Sequence, residues 1–394
     1  MPIDPEKMGA LMSLLKKKIL ILMMEVGMGH KIPALAIKEE LERKYPDRFD
    51  ISVLDFAREC GALGVDRQLK KGWDIALSFP FSVRIGYRFI ELIKNNFFYI
   101  ELLCRDFIKK GMDYIANTKP DAVLATHTLC LYIACKARRT FGGNYKVLCC
   151  VVDPFDGYSL WANLDTDLFF VATEQSKKRL IDHGVNASKI LVTGFPMRKS
   201  FFVFMKNKDN IVHELGLDPA KCTILISAGS RGISNVYSFA ECVKKKGIPF
   251  NIISVAGKNQ QLKEHLDTLA SIKNETNLVS LGYVDTMNEL MAASDVIAGK
   301  AGASTFMEAL FMKKPMIFTG WTAYNDWYII DFALKHNIGW YCPTLRSFLT
   351  IISKLSSEPH MVHEYSERIE ALHFTSGTET IADIVACEFG NERL

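Results

Sequence analysis

The stretch KILILMMEVGMGHKIPALAIKEELERKY, residues 18–45, decides the fold class. It begins with a mainly apolar run that ends at Gly27, and a helical pattern follows through AIKEELERKY. A run of this length without alternation of polar and apolar residues is typical of a parallel strand that helices cover on both faces. The stretch therefore predicts a buried strand, a glycine turn and a helix, which is the first half of a βαβ unit.

The same pattern recurs through the rest of the chain. Ten further strand candidates follow, five in each half: DISVLDF from Asp50, DAVLAT from Asp121, KVLCCVVD ending at Asp153, DLFFVAT from Asp167, KILVTG ending at Gly194, CTILISAG ending at Gly229, PFNIISVAG ending at Gly257, NLVSLG ending at Gly282, DVIAG ending at Gly299 and PMIFTG ending at Gly320. Alternating strands and helices imply right-handed βαβ units. We therefore predict an α/β protein with two doubly wound, Rossmann-like domains.

A charged segment, KSFFVFMKNKDN, marks the boundary between the two predicted domains. It contains no strand candidate, and the LGLDPAKC that follows it is typical of the start of a new domain. We expect a first domain over residues 1–200 and a second over residues 201–374. A terminal helix over residues 375–394 should pack back on the first domain.

Length, charge and cysteine content narrow the class of protein. A chain of 394 residues with 49% hydrophobic residues suits two domains that each bury a core. The net charge of +4 is too small to indicate a nucleic-acid partner. The ten cysteines form no CxxC pair and no secretory signal is evident, so we expect reduced thiols in the cytoplasm. No apolar run reaches the roughly 18 residues that span a bilayer, so we expect a soluble protein or one on a membrane surface.

The segment from Arg67 to Lys110 interrupts the α/β pattern because it contains no strand candidate. Its nine Lys and Arg exceed its four Asp and Glu by five, and it holds nine aromatic residues. Apolar residues recur at roughly helical spacing, at Ile85, Phe89, Leu92, Phe97, Ile100, Leu103 and Phe107. Two interpretations stay open: ordinary helices packed on the sheet, or a surface that enters anionic lipid and receives a lipid acceptor. In the second, the contacting residues would be Arg84, Arg88, Phe89, Phe97 and Phe98.

A glycine-rich turn follows the first strand in the sequence EVGMGHKIPALAI. Gly27 and Gly29 permit a tight turn and the close approach of another group, and His30 lies at the start of the next helix. A dinucleotide fingerprint would need a third glycine at position 32, which is Ile32. The turn therefore argues against NAD; it is either a plain connection or part of a site that contains Gly29 and His30.

Two turns in the second half are suited to an anion. In KAGASTFMEAL, small residues open a helix after the strand DVIAG, so that backbone N–H groups and hydroxyls converge on a diphosphate: Gly302, Ala303, Ser304 and Thr305. Glu308 lies one turn further and could accept hydrogen bonds from a ribose diol. The turn ISAGSRGISNV offers Gly229, Ser230 and Arg231, or is a simple surface turn. In open α/β sheets, ligands bind beyond the carboxyl ends of the strands, where all these residues are predicted to lie.

Taken in order, these motifs resemble glycosyltransferase family 28, and within it the monogalactosyldiacylglycerol synthases and processive diacylglycerol glucosyltransferases. The similarity runs from about Ile19 to Gly339. It includes the GMGH turn, the block CVVDPFDGYSLWANLDTDLFFVATEQSKKRLIDHGVNASKILVTGFPMR, and KAGAST followed by Glu308. The resemblance implies a GT-B fold whose domains face each other across a cleft. It implies an inverting transfer of a hexose from a UDP-sugar to diacylglycerol or a related lipid, without metal or cofactor.

The resemblance also implies a role for each matching residue. His30 would contact the donor phosphate or the reacting centre, and Asp153, at the end of its strand, would be the base for the acceptor hydroxyl. The donor would be held by Gly29, Gly229, Ser230, Arg231, Lys300, Gly302, Ala303, Ser304, Thr305, Glu308 and Asn325. The protein would act at the inner face of the cell membrane, as a peripheral enzyme on an anionic surface.

The chain departs from the family pattern at two places. Trp321 and Thr322 stand where the family carries the Gln and Glu that touch the donor sugar, and Ser230 and Arg231 stand where glycines are usual. The donor sugar therefore stays open, as do three alternatives: a non-lipid acceptor, a UDP-sugar epimerase, or a non-catalytic relative that binds lipid or nucleotide. Asp165 and Asp167 spell a DxD motif that suits a metal-bound diphosphate, although Asp167 also matches an ordinary strand start.

Overall fold

The protein is described here by a computed structural model that covers residues 16–25, 28–78, 80–92, 97–202, 207–227 and 236–389. Contacts divide the chain into two compact units. The first comprises residues 1–75, 86–198 and 376–394, and the second comprises residues 76–85 and 199–375. The chain thus passes to the second unit after Arg198 and returns to the first at Ser376. The prediction assigned all of residues 67–110 to the first domain, whereas residues 76–85 belong to the second unit.

Each unit is built on a parallel sheet of six strands. The strands of the first unit are β1 (Lys17–Met23), β2 (Phe49–Asp55), β3 (Ala122–Ala125), β4 (Lys146–Cys150), β5 (Leu168–Val171) and β6 (Ile190–Val192). Those of the second are β7 (Thr223–Ser227), β8 (Asn251–Val255), β9 (Asn277–Leu281), β10 (Val296–Lys300), β11 (Met316–Gly320) and β12 (Gly339–Tyr341). All eleven predicted strands are present, and the prediction of two doubly wound α/β domains is confirmed.

Helices connect successive strands in both units. In the first unit and its connection they are α1 (Lys31–Lys44), α2 (Phe56–Glu59), α3 (Leu63–Ser78), α4 (Pro80–Leu92), α5 (Phe97–Leu103), α6 (Arg105–Thr118), α7 (Thr128–Phe141) and α8 (Glu174–Asp182). In the second they are α9 (Lys208–Glu214), α10 (Val236–Lys246), α11 (Gln260–Ala270), α12 (Met287–Ala293), α13 (Ala303–Phe311), α14 (Tyr324–Lys335), α15 (Leu345–Ser357) and α16 (His360–Ala371). The last helix, α17 (Thr378–Cys387), lies in the first unit.

The strand order places one switch point in each sheet. The first sheet runs β2-β1-β3-β4-β5-β6 and the second β12-β11-β10-β7-β8-β9. Successive strands are added in opposite directions from β1 and β3, and again from β7 and β10. The loops beyond the carboxyl ends of these pairs diverge to opposite faces of the sheet and leave a crevice, which is where doubly wound proteins bind ligands.

The segment of residues 67–110 contains helices and no strand in its described part. Its apolar residues do not share one environment: Phe107 is fully buried, whereas Ile85 is 55% exposed and Leu103 is 76% exposed. Both interpretations of this segment thus have support, since α6 packs as core while α4 and α5 leave apolar side chains at the surface.

The terminal helix α17 packs against α1. The ammonium of Lys44 and the hydroxyl of Tyr45 each lie 2.7 Å from the carboxylate of Asp383. At the start of α17, the hydroxyl of Thr378 accepts from the N–H of Met197 at 2.7 Å. Within the described parts of the chain, no helix combines the length and the apolar composition that crossing a bilayer requires.

Candidate active site

His30 lies beyond β1, at the switch point of the first sheet. Its Nδ1 is 2.5 Å from the carbonyl oxygen of Thr126, which follows β3, and the hydroxyl of Thr126 donates to the His30 carbonyl at 3.0 Å. Because a carbonyl oxygen only accepts, Nδ1 carries the hydrogen, and the neutral ring keeps a lone pair on Nε2. The reciprocal bonds thus fix both the orientation and the tautomer of His30.

A second histidine, His127, lies against the first. The two ring centroids are 4.7 Å apart in an edge-to-face arrangement. Nδ1 of His127 accepts from the N–H of Leu129 at 3.2 Å and thereby caps α7. Burial lowers the pKa of His30 although the Thr126 carbonyl opposes the shift. Burial and, secondarily, repulsion by His30 when that ring is protonated hold the pKa of His127 well below its usual range. Both rings are therefore neutral at pH 7.

Asp153 lies three residues beyond β4 and is 8% exposed. Its Oδ2 accepts from Nε1 of Trp161 at 2.8 Å, and Trp161 is completely buried. The carbonyl oxygen of Asp153 accepts from the hydroxyl of Ser176 in α8 at 3.0 Å. The structure thus places a carboxylate near the carboxyl edge of the first sheet and fixes it through an indole N–H.

Lys300 ends β10, at the switch point of the second sheet. Its ammonium lies 3.0 Å from Oδ2 of Asp326 and 3.2 Å from the hydroxyl of Thr322. The same Asp326 oxygen accepts from the N–H groups of Thr322 and Ala323 at the start of α14, at 2.8 and 3.3 Å. Asp326 therefore holds the loop after β11 in place and fixes the direction in which the Lys300 ammonium points.

The loop from β10 into α13 is where the sequence predicts an anion-binding site. A side chain at Gly302 would meet nothing within 4 Å, so the space above this helix start is open. The Ser304 hydroxyl is buried and has no hydrogen-bond partner among the described residues. A buried, unsatisfied hydroxyl at a helix N-terminus fits a ligand with acceptor oxygens, such as a phosphate.

Glu308 lies one turn into α13 and is 5% exposed. Burial raises the pKa of its carboxyl to about 8, and no cation opposes the shift within the described structure. A buried carboxyl without a charged partner is costly to the fold and therefore suggests a functional role. Its place beside the open helix start suits a partner that donates hydrogen bonds, as a diol does.

The loop after β11, where the sequence departs from the family pattern, carries aromatic rings. The ring centroid of Trp321 lies 5.5 Å from that of Tyr324 and 5.4 Å from that of Trp327. The guanidinium of Arg84 lies 3.4 Å from the Trp321 ring centroid and donates to the Trp321 carbonyl at 2.8 Å. Arg84, predicted to contact acceptor or membrane, is thus half-buried against Trp321, while Thr322 is 1% exposed.

Several predicted residues lie elsewhere or outside the described structure. Gly229, Ser230 and Arg231 are outside the described residues, as are the side chains of Phe89, Phe97 and Phe98. Arg88 is exposed on α4, and Thr305 and Asn325 are half-buried in the first turns of α13 and α14. The DxD carboxylates are engaged locally: Asp165 pairs with Arg139 at 3.1 Å, and Asp167 contacts Arg138. Gly29 has open space at its Cβ position.

Two features of the carboxyl edges were missed from the sequence. One is His127, whose ring contact with His30 joins loops that are 97 residues apart. The other is Tyr283, which follows β9, is 48% exposed, and has the Lys258 ammonium 5.2 Å from its ring centroid. The GY dipeptide after NLVSL could have indicated this residue, because it places an aromatic ring just beyond a predicted strand. Exposed rings in such positions can stack on nucleotide bases.

Both halves of the chain are similar to known proteins. Residues 30–197 match the model of monogalactosyldiacylglycerol synthase, and residues 223–326 match the model of the glycosyltransferase family 28 C-terminal domain. The processive diacylglycerol beta-glucosyltransferase of Bacillus licheniformis is 26% identical over 376 residues, which are 94% of each chain. The probable monogalactosyldiacylglycerol synthase 3 of Oryza sativa is 24% identical over 357 residues, covering 86% of this chain and 68% of that one.

Solved structures show the fold at lower identity. MurG of Acinetobacter baumannii is 16% identical with a TM-score of 0.62, over 94% of this chain and 99% of that one. The UDP-GlcNAc 2-epimerase of Neisseria meningitidis, solved with UDP-GlcNAc, is 17% identical with a TM-score of 0.58, over 94% and 98%. The fold is GT-B. The predicted resemblance to glycosyltransferase family 28 is confirmed: a match to the monogalactosyldiacylglycerol synthase model is followed in the chain by a match to the family 28 C-terminal domain.

Proposed function

We propose that this glycosyltransferase moves a hexose from a UDP-sugar to diacylglycerol or a related lipid, with inversion at the anomeric carbon. The observation that carries the proposal is the switch point of the second sheet. There Lys300, the unsatisfied Ser304 hydroxyl and the buried Glu308 carboxyl surround an open helix start. Phosphate oxygens suit the first two groups, and a ribose diol suits the third.

The base of the nucleotide would lie against Tyr283. Its exposed ring follows the carboxyl end of β9, on the same edge of the sheet as Lys300. Stacking on an aromatic ring contributes about 1–3 kcal/mol per base and selects bases weakly. In this proposal the ribose and phosphate contacts, rather than the stacking contact, hold the donor in register.

We propose that Asp153 takes the proton of the acceptor hydroxyl, while His30 contacts the reacting centre. A neutral His30 with its lone pair on Nε2 accepts a hydrogen bond and cannot donate one there, which favours the reacting centre over the donor phosphate. The hydroxyl oxygen attacks the anomeric carbon from the face opposite the diphosphate, and UDP leaves with the bonding electron pair.

The transfer is proposed to need no metal or cofactor. Negative charge develops on the diphosphate as it leaves, and the Lys300 ammonium and the N–H groups that open α13 would stabilise it. Gly29, Arg231 and Asn325 are proposed to complete the donor site. Activity that disappears in EDTA and returns with a divalent cation would contradict this part of the proposal.

The lipid acceptor is proposed to arrive from an anionic membrane at the inner face of the cell. Leu102 and Leu103, at the end of α5, are 69% and 76% exposed. The next helix, α6, contributes to a groove of about 430 Å³, whose lining includes Arg105, Lys109 and Lys136, two carboxylates, and the apolar residues Ile108, Met112 and Phe141. Exposed apolar side chains beside exposed cations are typical of surfaces that enter the headgroup layer of anionic membranes.

A panel of radiolabelled UDP-sugars, incubated with diacylglycerol in vesicles, tests the function directly. Label in the lipid phase is the expected result. Free UDP without labelled lipid would point to a non-lipid acceptor, and conversion of one UDP-sugar into another would point to an epimerase. Binding of UDP without any turnover would point to a non-catalytic relative, in which Trp321 and Thr322 fail to hold the sugar.

A further inference from the structure

The loop of residues 151–167, between β4 and β5, carries Asp153 and is held by buried charged groups. Asp156 has no exposed surface. Its Oδ1 accepts from Nε of Arg179 at 3.0 Å and from the N–H of Gly157 at 2.8 Å, and its Oδ2 accepts from the hydroxyl of Tyr87. A buried carboxylate whose hydrogen bonds are satisfied on both oxygens resists displacement, because any movement leaves charge unpaired.

A second carboxylate, Glu91 of α4, holds the same loop from its other side. Its Oε1 accepts from the N–H of Ser159 at 2.9 Å, and its Oε2 accepts from Arg179 at 2.7 Å. The side chains of Glu91 and Arg179 are 18% and 27% exposed. Arg179 therefore bridges the two carboxylates, with the loop backbone bonded to each of them.

The loop has little room to move against α8. A side chain at Gly157 would lie 2.8 Å from the carbonyl oxygen of Ser176 and 2.9 Å from Cγ of Leu180. Only glycine permits this approach of the loop backbone to the helix that carries Arg179. Glu91 and Asp156 thus hold a loop whose backbone, at Gly157, already packs closely against α8.

The end of the loop returns to Asp153 through Trp161. The N–H of Trp161 bonds to the carbonyl oxygen of Tyr158 at 2.8 Å, and its indole N–H donates to Asp153 Oδ2, also at 2.8 Å. The direction of the Asp153 carboxylate therefore depends on where the loop places Trp161. Ser159, the residue that Glu91 holds, lies between Tyr158 and Trp161 in the sequence.

We propose that Glu91 is a positioning residue, which aligns the Asp153 carboxylate by holding Ser159 and Arg179, and through them Trp161. The inference rests on the proposed function in one respect, which is that Asp153 acts in the transfer. Tyr87 and Glu91 are four residues apart and therefore share one face of α4. That helix belongs to the segment predicted for acceptor or membrane contact, so the helix that would meet the acceptor also holds the loop of the base.

The alternative is that Glu91 is a stabilising ion pair and nothing more. The matched control is Asp383→Asn, which breaks a partly buried pair with Lys44 in the same unit, away from the loop. Glu91→Gln keeps an oxygen acceptor for the Ser159 N–H and loses the charge that Arg179 needs, whereas Glu91→Ala loses both. The series separates loop positioning from general stability, and the milder variant covers the case in which Glu91→Ala does not fold.

The experiment combines steady-state kinetics with ¹⁹F NMR of protein labelled with 5-fluorotryptophan. The Trp161 signal is assigned by its disappearance in Trp161→Phe. We expect Glu91→Ala to lower kcat at least about tenfold with little change in donor KM, because misplacement of a reacting group affects turnover more than binding. Glu91→Gln should fall between it and the wild type. The Trp161 signal should shift in both variants and stay unchanged in Asp383→Asn.

An unmoved Trp161 signal in Glu91→Ala would overturn the proposal, as would a kcat equal to that of the wild type. Equal loss of activity in Asp383→Asn, at an equal loss of thermal stability, would also overturn it. If the wild type transfers no sugar, the proposed function fails by itself. The shift of the Trp161 signal then still decides whether Glu91 positions this loop.

Discussion

Glu308 gives the sharpest test of the proposed donor site, because the proposal requires its carboxyl to change charge when a nucleotide sugar binds. In the free protein, burial raises the pKa of this carboxyl to about 8. A diol donates two hydrogen bonds and therefore favours the ionised carboxylate, which is acceptor-only. Binding of a UDP-hexose at neutral pH should thus drive a proton from Glu308 into solution. We compare the wild type with Glu308→Gln, which has the same shape and no proton to lose.

The size of the effect follows from the pKa. At pH 7 a carboxyl with a pKa near 8 is protonated in about nine molecules of ten, and each pH unit is worth about 1.36 kcal/mol. The affinity should therefore rise about tenfold for each unit of pH below 8, and level off above it. Glu308→Gln should bind with an affinity that does not change over this range, weaker by about 1.5–3 kcal/mol than the wild type at high pH.

Titration calorimetry in two buffers of different ionisation enthalpy measures the released proton. A UDP-hexose is the right ligand because its diphosphate, esterified at both ends, does not titrate between about pH 6 and pH 8.5. The wild type should release roughly 0.9 proton at pH 7, and Glu308→Gln should release none. Proton release by both proteins, or an affinity of the wild type that is independent of pH, would refute the assignment of Glu308 to the ribose.

Thermal stability supplies a second readout that needs no ligand. The folded pKa of Glu308 is raised above its ordinary value of 4.5, so the folded protein holds a proton that the unfolded chain releases. The proton on Glu308 contributes fully to the free energy of unfolding when the pH is below the pKa that Glu308 has in the unfolded chain. The contribution is lost as the pH rises toward 8. Glu308→Gln should therefore have a higher Tm than the wild type above pH 8, and the difference should shrink as pH falls.

Three further predictions concern catalysis and the membrane. Asp153→Asn should keep the wild-type Tm and donor affinity while turnover falls at least about tenfold, as expected for loss of a base; full activity would exclude Asp153. His30→Gln should cost less than Asp153→Asn, and the reverse order would exchange their roles. Leu102→Gln with Leu103→Gln should abolish co-sedimentation with anionic vesicles, whereas Phe141→Gln, which changes a single residue of the groove lining, should only weaken it. Equal sedimentation of all three proteins would place the membrane surface elsewhere.

The fold was predictable because most of its strands, such as β1, β3, β8 and β10, are largely buried on both faces. Such strands give short runs rich in apolar residues between helical patterns, and all eleven predicted strands were found from this alternation. The twelfth, β12, is only the three residues Gly339–Tyr341 at the edge of the second sheet. Its apolar run is short and contains a glycine, and Gly339 occurs there because a side chain would lie 2.6 Å from the carbonyl oxygen of Met316. The need for glycine at this position comes from the neighbouring strand β11, so no periodicity in the sequence around β12 indicates it.

The candidate site was predictable only where one motif holds several of its residues. Lys300, Ser304 and Glu308 follow one strand and share one loop and helix, so their spacing already implied a common site. The His30–His127 contact and the Glu91–Arg179 pair join segments 97 and 88 residues apart. Such contacts depend on strand order, which periodicity does not reveal. The ring contact of Arg84 with Trp321 was hidden for the same reason.

The pairing of Lys300 with Asp326 explains why the donor site should recognise a whole nucleotide sugar rather than its diphosphate alone. The carboxylate 3.0 Å from the ammonium cancels much of the attraction that a lone lysine would exert on any anion. What remains is directional: an ammonium held in place, an unsatisfied Ser304 hydroxyl, and the N–H groups of a helix start. These groups contribute fully only when the ligand is aligned, and in the proposed site Glu308 and Tyr283 would align it by contacting the ribose and the base. Inorganic diphosphate should therefore compete poorly for this site, since it gains neither contact and still meets the charge of Asp326.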